Sequence, residues 1–318
     1  MNPSANVLLE NVSCPFACSE DDEVVLTGRD LLHDLPGEFT VVRCRSCQLM
    51  RTNPRPTPEA IAHYYPDNYG PYIGTQVRPP NSDSHVKKWV KHLVKKVFNF
   101  NTTNLPPLPP GRLLEVGCAS GAFLHKMASQ GWHVQGIEIS EKAAQSAVSH
   151  GYQVHVGPLE TAPEPNDRFD LIVGWMVLEH LHDPIRALQK LHKCAKPNAW
   201  LVLSVPDAGS LEFRIFKERW YALQLPSHLQ HFTVETLRRV LEAGNWKLAR
   251  VCYQRVLTNL IASVGYFLRD NGCARLGAAL INMPQKPAVW SYALYPLAWL
   301  LSAFGQTGRM TIWARPKS

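Results

Sequence analysis

The stretch LLEVGCASGAF, residues 113–123, decides the fold. Its apolar first half predicts a buried strand. Gly117 and Gly121 allow the backbone to turn sharply and to approach a ligand closely, and Ser120 is placed to cap a helix that follows. A strand, a glycine turn and a helix in this order are typical of sites that hold a nucleotide-like cofactor at the end of a central strand.

The glycine spacing separates two kinds of cofactor. A dinucleotide loop needs a second glycine at the position of Ala119, and the full set of phosphate-binding glycines is not found. A second predicted strand, residues 133–138, ends in Glu138, whose carboxylate can accept hydrogen bonds from both hydroxyls of a ribose. The pattern therefore favours a nucleoside cofactor other than NAD, and an NAD-binding unit of the same α/β type is the alternative.

The rest of the core alternates strands with helices. Asp183 followed by Pro184 begins a helix that runs to Lys193. Five more strands are predicted, at residues 152–156, 169–175, 200–205, 246–252 and 309–315. Because such alternation implies parallel crossovers, we expect an α/β fold with a doubly wound, mostly parallel sheet of seven strands.

Four of the eight cysteines form two close pairs, Cys14 with Cys18 and Cys44 with Cys47. Predicted strands at 23–26 and 39–42 lie between the pairs, which is the plan of a zinc ribbon. Four thiolates would satisfy Zn²⁺ with no open position, so the site would be structural. Four unrelated cysteines are the alternative, because the first pair is wider than the usual two-residue spacing.

The charge balance is moderately basic, with 33 Lys and Arg against 26 Asp and Glu and a net charge of +7. This balance permits an anionic partner without requiring one. The first residues lack the basic and apolar segments of a targeting sequence. We therefore expect a cytoplasmic protein whose cysteines are reduced thiols or metal ligands.

The segment between the cysteine pairs and the core has two features. Its tyrosines either bind an acceptor or join two domains; they are Tyr64, Tyr65, Tyr69 and Tyr72. Residues 82–98 predict an amphipathic helix, and its basic face is either solvated or placed against anionic headgroups; that face is Lys87, Lys88, Lys91, His92 and Lys95. These features predict a zinc-ribbon-like domain at 1–60, a connector at 61–110 and the core domain at 111–318.

Two motifs after the fourth predicted strand complete a family pattern. They are Leu-Glu-His-x-x-Asp-Pro at 178–184 and Pro-x-His-x-x-His-Phe-Thr at 226–233. With the glycine turn and the cysteine pairs, they make nearly the whole chain resemble class I S-adenosylmethionine-dependent methyltransferases. Within that class it is similar to the ubiquinone-methyltransferase-like group of sugar and polysaccharide methyltransferases. The resemblance implies a Rossmann-like methyltransferase fold with a small amino-terminal zinc ribbon.

The resemblance implies S-adenosylmethionine as the cofactor, in addition to the structural zinc. Glu115, Gly117 and Gly121 would hold its methionine end, and Glu138 its ribose. Many relatives place an Asp near the adenine where this chain has Pro158, so backbone groups around Leu159 would have to serve. The predicted cofactor-binding residues are Glu115, Gly117, Cys118, Ala119, Gly121, Glu138, Ile139, Leu159 and Trp175.

Methyl transfer to a hydroxyl requires alignment of donor and acceptor and removal of a proton. The candidate bases are His180, His228 and His231, because histidine accepts a proton near neutral pH. The function implied by the resemblance is methylation of a hydroxyl, with carbon as the second choice, on a sugar, glycan or other small molecule. Two alternatives are a ribosomal RNA methyltransferase with a zinc ribbon and a cofactor-binding relative without activity.

Residues 287–308 contain no charged residue and could span a bilayer by length alone. The predicted strands on either side of residues 256–308 must pair within one sheet, so we expect a helical insertion that returns to the sheet before the last strand. It would be a lid, a homodimer contact, or a surface that brings the protein to a lipid-linked glycan on the inner face of a membrane.

Overall fold

The computed structural model describes residues 7–65, 98–165, 167–283 and 289–317. The basic face predicted at 87–95, together with Tyr69 and Tyr72, lies outside the described residues.

The amino-terminal region forms a small antiparallel sheet. This region supplies three of its strands, which are β2 (Asp22–Gly28), β3 (Phe39–Cys44) and β4 (Met50–Thr52). A neighbouring two-stranded pair consists of β1 (Leu9–Glu10) and β5 (Arg55–Pro56). Cys14 and Cys18 precede β2, Cys44 is the last residue of β3, and Cys47 follows it, as expected for a ribbon. Strand β1 pairs with β5.

The main sheet contains the strand that precedes the glycine turn. In chain order the further strands are β6 (Arg112–Val116), β7 (His133–Glu138), β8 (Gln153–Val156), β9 (Phe169–Trp175), β10 (Ala195–Pro206), β11 (Gln230–His231), β12 (Trp246–Tyr253) and β13 (Arg309–Pro316). All except β11 form one seven-stranded sheet in the order β12-β13-β10-β9-β6-β7-β8. The five strands from β10 to β8 are parallel, and β13 is antiparallel to both its neighbours. The predicted fold class is therefore confirmed.

Strands β6 and β9 are apolar because both faces of the sheet are covered. Leu113, Ile172 and Val173 are fully buried. The helices among the described residues are α1 (Ala122–Ala128), α2 (Glu141–Ser149), α3 (Pro184–Cys194), α4 (Leu211–Phe216), α5 (Val234–Ala243), α6 (Thr258–Asp270), α7 (Ala274–Ile281), α8 (Val289–Ala293) and α9 (Tyr295–Ala303).

Two local expectations need correction. Gly121, in a left-handed conformation, is the residue that caps α1, and the Ser120 hydroxyl has no partner. Strand β10 begins at Ala195, directly after α3 and before the predicted start at residue 200, because residues near 195 already pair with β9 through an irregular register. The other helix starts agree: Asp183 accepts a hydrogen bond from the backbone of Arg186, and Thr233 makes a capping box with Thr236.

Strand β11 was not predicted, and it adds residues from the later part of the chain to the amino-terminal sheet. It pairs antiparallel with β4, so the amino-terminal sheet has the order β11-β4-β3-β2. Thr52 donates a hydrogen bond from Oγ1 to the carbonyl of His228 over 2.8 Å. The division of the chain at residue 60 stays a prediction, since the amino-terminal sheet takes a strand from the later part of the chain.

Residues 256–308 form the predicted helical insertion, with α6 to α9 between β12 and β13. Helices α6 and α7 cross closely at Gly265 and Gly277, where an added Cβ would lie within 3 Å of the facing backbone. In the part of the chain that the structure describes, no helix combines the length and the apolar character needed to cross a bilayer.

Candidate active site

The glycine turn lies where the carboxyl ends of β6, β7 and β9 meet. Gly117 and Gly121 have φ angles of +71° and +79°, which side chains rarely allow. A Cβ at Gly117 would lie 2.6 Å from the Cγ2 of Val177, and one at Gly121 would lie 2.6 Å from the Cβ of Ala147. Both glycines are therefore required by the turn and by the packing of the chain around it.

Glu138 fastens this turn to the end of β7. Its side chain is buried, its Oε2 accepts the backbone N–H of Ala119 over 2.8 Å, and its Oε1 accepts that of Ser140 over 3.0 Å. Each carboxylate oxygen has a second lone pair. Glu138 can thus hold the loop and still accept hydrogen bonds from a ligand.

Several buried polar atoms at this edge have no partner within the protein. They are the Oε2 of Glu115, the Oγ of Ser120 and the Nε1 of Trp175. Burial, and next the neighbouring Glu138, raise the pKa of Glu115 well above its usual range, which favours the protonated carboxyl. Since buried polar groups rarely lack partners, this edge fits a polar ligand.

The other predicted cofactor-binding residues surround the same edge. Ile139 follows Glu138 and is 64% exposed, whereas Leu159 is buried in a short turn after β8. The Trp175 ring packs against Phe123, with ring centroids 5.3 Å apart. Cys118 is buried, and its burial raises the pKa of the thiol, so it is a packing residue of the turn.

The structure brings two of the candidate histidines together. The rings of His180 and His228 pack edge to face with their centroids 4.5 Å apart. Burial lowers the pKa of His180 to about 4, and burial with the neighbouring histidines lowers that of His228 well below its usual value. Both rings are therefore neutral at physiological pH.

Backbone carbonyls determine which ring nitrogen of His180 and of His228 carries the proton. The Nδ1 of His180 lies 2.9 Å from the carbonyl of Ser227, and the Nδ1 of His228 lies 2.9 Å from that of Ala222. A carbonyl only accepts, so each Nδ1 donates and each Nε2 keeps its lone pair. This is the tautomer in which Nε2 can take a proton from an acceptor.

His231 has a different environment. Burial lowers its pKa to about 3, and its Nε2 lies 3.1 Å from the Oγ1 of Thr52. Because Thr52 donates its own proton to the carbonyl of His228, its oxygen accepts from His231. His231 therefore holds β11 against β4.

Two further residues lie at the site: Tyr65, predicted either to bind an acceptor or to join two domains, and Glu179, for which no role was predicted from the sequence. The hydroxyl of Tyr65 lies 2.8 Å from the Nδ1 of His180, whereas the neighbouring Tyr64 packs against Phe39 in the amino-terminal sheet. Glu179 is fully buried, neither of its carboxylate oxygens has a partner, and burial raises its pKa to about 8. The signal for Glu179 was its place in the Leu-Glu-His motif.

Two groups among the described residues have the donor atoms for a metal ion. The first is Cys14, Cys18, Cys44 and Cys47, and the second is Glu179, His180 and His228; within each group the donor atoms lie within 4.8 Å of one another. Around a tetrahedral zinc with bonds of about 2.3 Å, sulfur atoms are about 3.8 Å apart. The Sγ atoms of Cys14 and Cys47 are 3.4 Å apart, so the four thiols fit zinc.

The cysteine group is joined to the histidines through backbone contacts. Arg239 on α5 donates to the carbonyl of Cys47 over 3.1 Å and stacks over Phe16. The backbone N–H of Leu229 donates to the carbonyl of Glu179 over 2.8 Å. The ribbon, β11 and the histidine loop therefore form one connected structure.

Comparison with known proteins identifies the family to which the chain belongs. A family model described as a methyltransferase domain matches residues 85–251, more than half of the chain. The chain belongs to this methyltransferase domain family, and its predicted membership of the class I S-adenosylmethionine-dependent methyltransferases is confirmed.

The curated relatives match part of the chain. The chain is 33% identical over 109 residues to the ubiquinone biosynthesis O-methyltransferase of Bordetella bronchiseptica, which covers 32% of this chain and 45% of that protein. The chain is 25% identical over 189 residues to the ubiquinone biosynthesis O-methyltransferase of Nitrosomonas europaea, and the alignment covers 57% of this chain and 71% of that protein. The chain spans about half the length of most curated relatives it matches.

Among solved structures, an S-adenosylmethionine-dependent methyltransferase from Mesorhizobium loti aligns with a TM-score of 0.45 at 18% identity. The alignment covers 66% of this chain and 93% of that one. The fold assignment rests on the strand order of the chain itself.

Proposed function

We propose that the protein transfers a methyl group from S-adenosylmethionine to a hydroxyl of a small-molecule acceptor. The observation that carries the proposal is the neutral His180, with Nδ1 donating to a backbone carbonyl and Nε2 available as a base. His180 follows Val177, which packs against Gly117 of the cofactor turn. The base and the cofactor turn therefore belong to one site.

The cofactor, when bound, supplies a methyl group on a sulfonium that is already a strong electrophile. The Glu115 carboxyl and the Ser120 hydroxyl would bind its methionine end, and Glu138 its ribose. Ile139, the backbone around Leu159 and the ring of Trp175 would line the adenine and methionine parts. The task left to the protein is to orient the acceptor and to remove its proton.

His180 is the base we propose, and Tyr65 and Ser227 orient it. The contacts of its Nδ1 hold the ring, and a proton taken by Nε2 would give an imidazolium whose Nδ1–H stays bound to the Ser227 carbonyl. His228 is the second candidate, because its Nε2 also keeps a lone pair. His231 is supported as a structural residue by its contact with Thr52.

The acceptor class is a finer proposal. The names of the relatives support oxygen as the accepting atom, and a sugar or glycan hydroxyl is the class predicted from the motif resemblance. A screen with labelled cofactor should offer nucleotide sugars, glycans, catechols and RNA. We expect the label in a hydroxylated small molecule. Label in catechols alone would replace the glycan acceptor by a catechol. Label in RNA alone would overturn the small-molecule acceptor and the glycan class together.

We further propose that Cys14, Cys18, Cys44 and Cys47 hold one structural zinc ion. The four donors, their spacing and their burial support a closed site without an open position. The ion would stabilise the ribbon against which β11 pairs.

Replacement of Glu138 by alanine should weaken cofactor binding by about 2–4 kcal/mol, because two charge-assisted hydrogen bonds to the ribose are lost. Calorimetry on the purified variant measures this, with thermal unfolding to check the loop that Glu138 also holds. Glu141→Ala, three residues away at the exposed start of α2, is the matched control and should bind normally. Unchanged affinity in Glu138→Ala would refute the assignment.

Replacement of His180 by alanine should reduce turnover about a hundredfold or more while cofactor affinity stays normal. Tyr65→Phe should give a smaller loss, because the ring loses one contact and keeps the Ser227 carbonyl. His228→Ala and His231→Ala complete the series, and His150→Ala, on the exposed end of α2, is the control. If all three candidate histidines can be removed with near-normal turnover, no histidine here is the base.

A further inference from the structure

The helical insertion exposes an unusual number of large apolar side chains. Sixteen such residues are exposed in the part of the chain that the structure describes, and half of them lie in the insertion, each 43–72% exposed. These eight, here called the insertion surface, are Phe267, Leu276, Trp290, Tyr292, Leu297, Trp299, Leu300 and Phe304. Six of the eight lie within residues 290–304, and exposed apolar residues that cluster in this way mark sites of interaction.

Helix α9 is apolar around its circumference. Only Ala298 is buried, while Leu297, Trp299 and Leu300 are exposed, and the polar groups on the side chains of the helix are the hydroxyls of Tyr295 and Ser302 and the indole N–H of Trp299. A helix that is apolar on all sides is normally covered. With nine residues it is about 14 Å long, less than half of a hydrocarbon core of about 30 Å.

Two tyrosines fix the insertion to residues 98–100, and one of them, Tyr292, is also partly exposed in the insertion surface. The rings of Tyr292 and Tyr295 pack edge to face against Phe98 and Phe100, with centroids 4.9–5.6 Å apart. The Tyr295 hydroxyl accepts a hydrogen bond from Arg255 over 3.2 Å. These contacts therefore hold the helices that carry the insertion surface in place.

The charge around the surface indicates its partner. Residues 271–318 contain no Asp or Glu, and the whole chain has a net charge of +7. Arg275 is exposed next to Leu276 on α7. A second copy of the chain would bring the same positive charge to this face, whereas an anionic surface would be attracted by it.

We propose that the insertion surface binds the headgroup region of an anionic lipid bilayer. Tryptophan and tyrosine prefer the boundary between headgroups and acyl chains, and the exposed Arg275 with the net positive charge of the chain provides attraction to anionic lipid. The protein is held on one face of the bilayer without crossing it. The proposal is independent of the acceptor and of the base.

Flotation of the full chain with vesicles tests the proposal. The protein should float with vesicles of phosphatidylglycerol and phosphatidylcholine at low salt, float less at high salt, and stay at the bottom with phosphatidylcholine alone. Trp299→Ser with Phe304→Ser should reduce the partition coefficient about tenfold or more. Val24→Ser with Val148→Ser removes two equally exposed apolar side chains outside the insertion and should change nothing.

Three outcomes would overturn it. The first is that the native protein does not float with anionic vesicles at low salt. The second is that the insertion variant floats as well as the native protein. The third is that the native protein binds no vesicles and is a dimer in light scattering, while the insertion variant is a monomer. Carbonate at alkaline pH should release the bound protein, and a pellet that resists it would show that the segment crosses the bilayer.

Discussion

A protein with serine at both Cys44 and Cys47 should contain no zinc and should lose most of its turnover. Apparent zinc-binding free energies of structural sites are about 10–16 kcal/mol, and this energy is coupled to folding of the domain. Both thiols are buried in the ribbon, and the carbonyl of Cys47 accepts from Arg239 of α5. Loss of the ion should therefore loosen β4, which holds β11 and His231.

Elemental analysis of protein made without an affinity tag measures the zinc, and calorimetry should show cofactor binding weakened less than turnover. Cys273→Ser, at an exposed cysteine outside the ribbon, is the control and should keep one zinc per chain. Undiminished zinc in the double variant would exclude this site.

Replacement of Glu179 by glutamine should stabilise the protein by about 4 kcal/mol at pH 7.5. The folded pKa of about 8 lies above the usual value of 4.5, so the folded protein keeps this proton while the unfolded chain ionises. The native protein therefore loses stability from Glu179 as pH rises from about 4.5 to 8. Glutamine removes that dependence, at about 1.4 kcal/mol per pH unit.

Urea unfolding of the native protein and Glu179→Gln at pH 7.5, 6.0 and 4.5 measures the difference, and the gain should vanish near pH 4.5. Other titrating groups cancel in this comparison. Glu242→Gln, on the exposed side of α5, should give no pH-dependent difference. A variant that is less stable at pH 7.5 would show that the carboxylate is charged in the folded protein, as it would be beside a cation held with His180 and His228.

The parts of the fold that were predicted are those with local signals. Strand β9 runs from Phe169 to Trp175 as expected, because a short apolar run between polar neighbours has few alternatives. The start of α3 was predicted from Asp183 and Pro184, whose preference for a helix start is intrinsic to their chemistry. The two members of each cysteine pair were predicted to lie close together because a tight turn separates them.

The parts that were not predicted depend on contacts between distant residues. Strand β11 has only two residues and no apolar alternation, and its pairing with β4 is visible only in the folded chain. The sequence shows three histidines, but their proton positions depend on the carbonyls of Ala222 and Ser227 and the hydroxyl of Thr52. The role of Tyr65 depends on a contact across 115 residues.

The pairing of β11 with β4 also sets an order of events during synthesis. His231 and Thr52 are 179 residues apart, so the amino-terminal sheet leaves the ribosome long before its fourth strand is made. Until then β4 presents an open edge of unpaired backbone groups, which is where another chain can add. A ribosome that pauses between these two segments would lengthen that exposure, and codon choice in this interval therefore bears on how much of the protein reaches the native state.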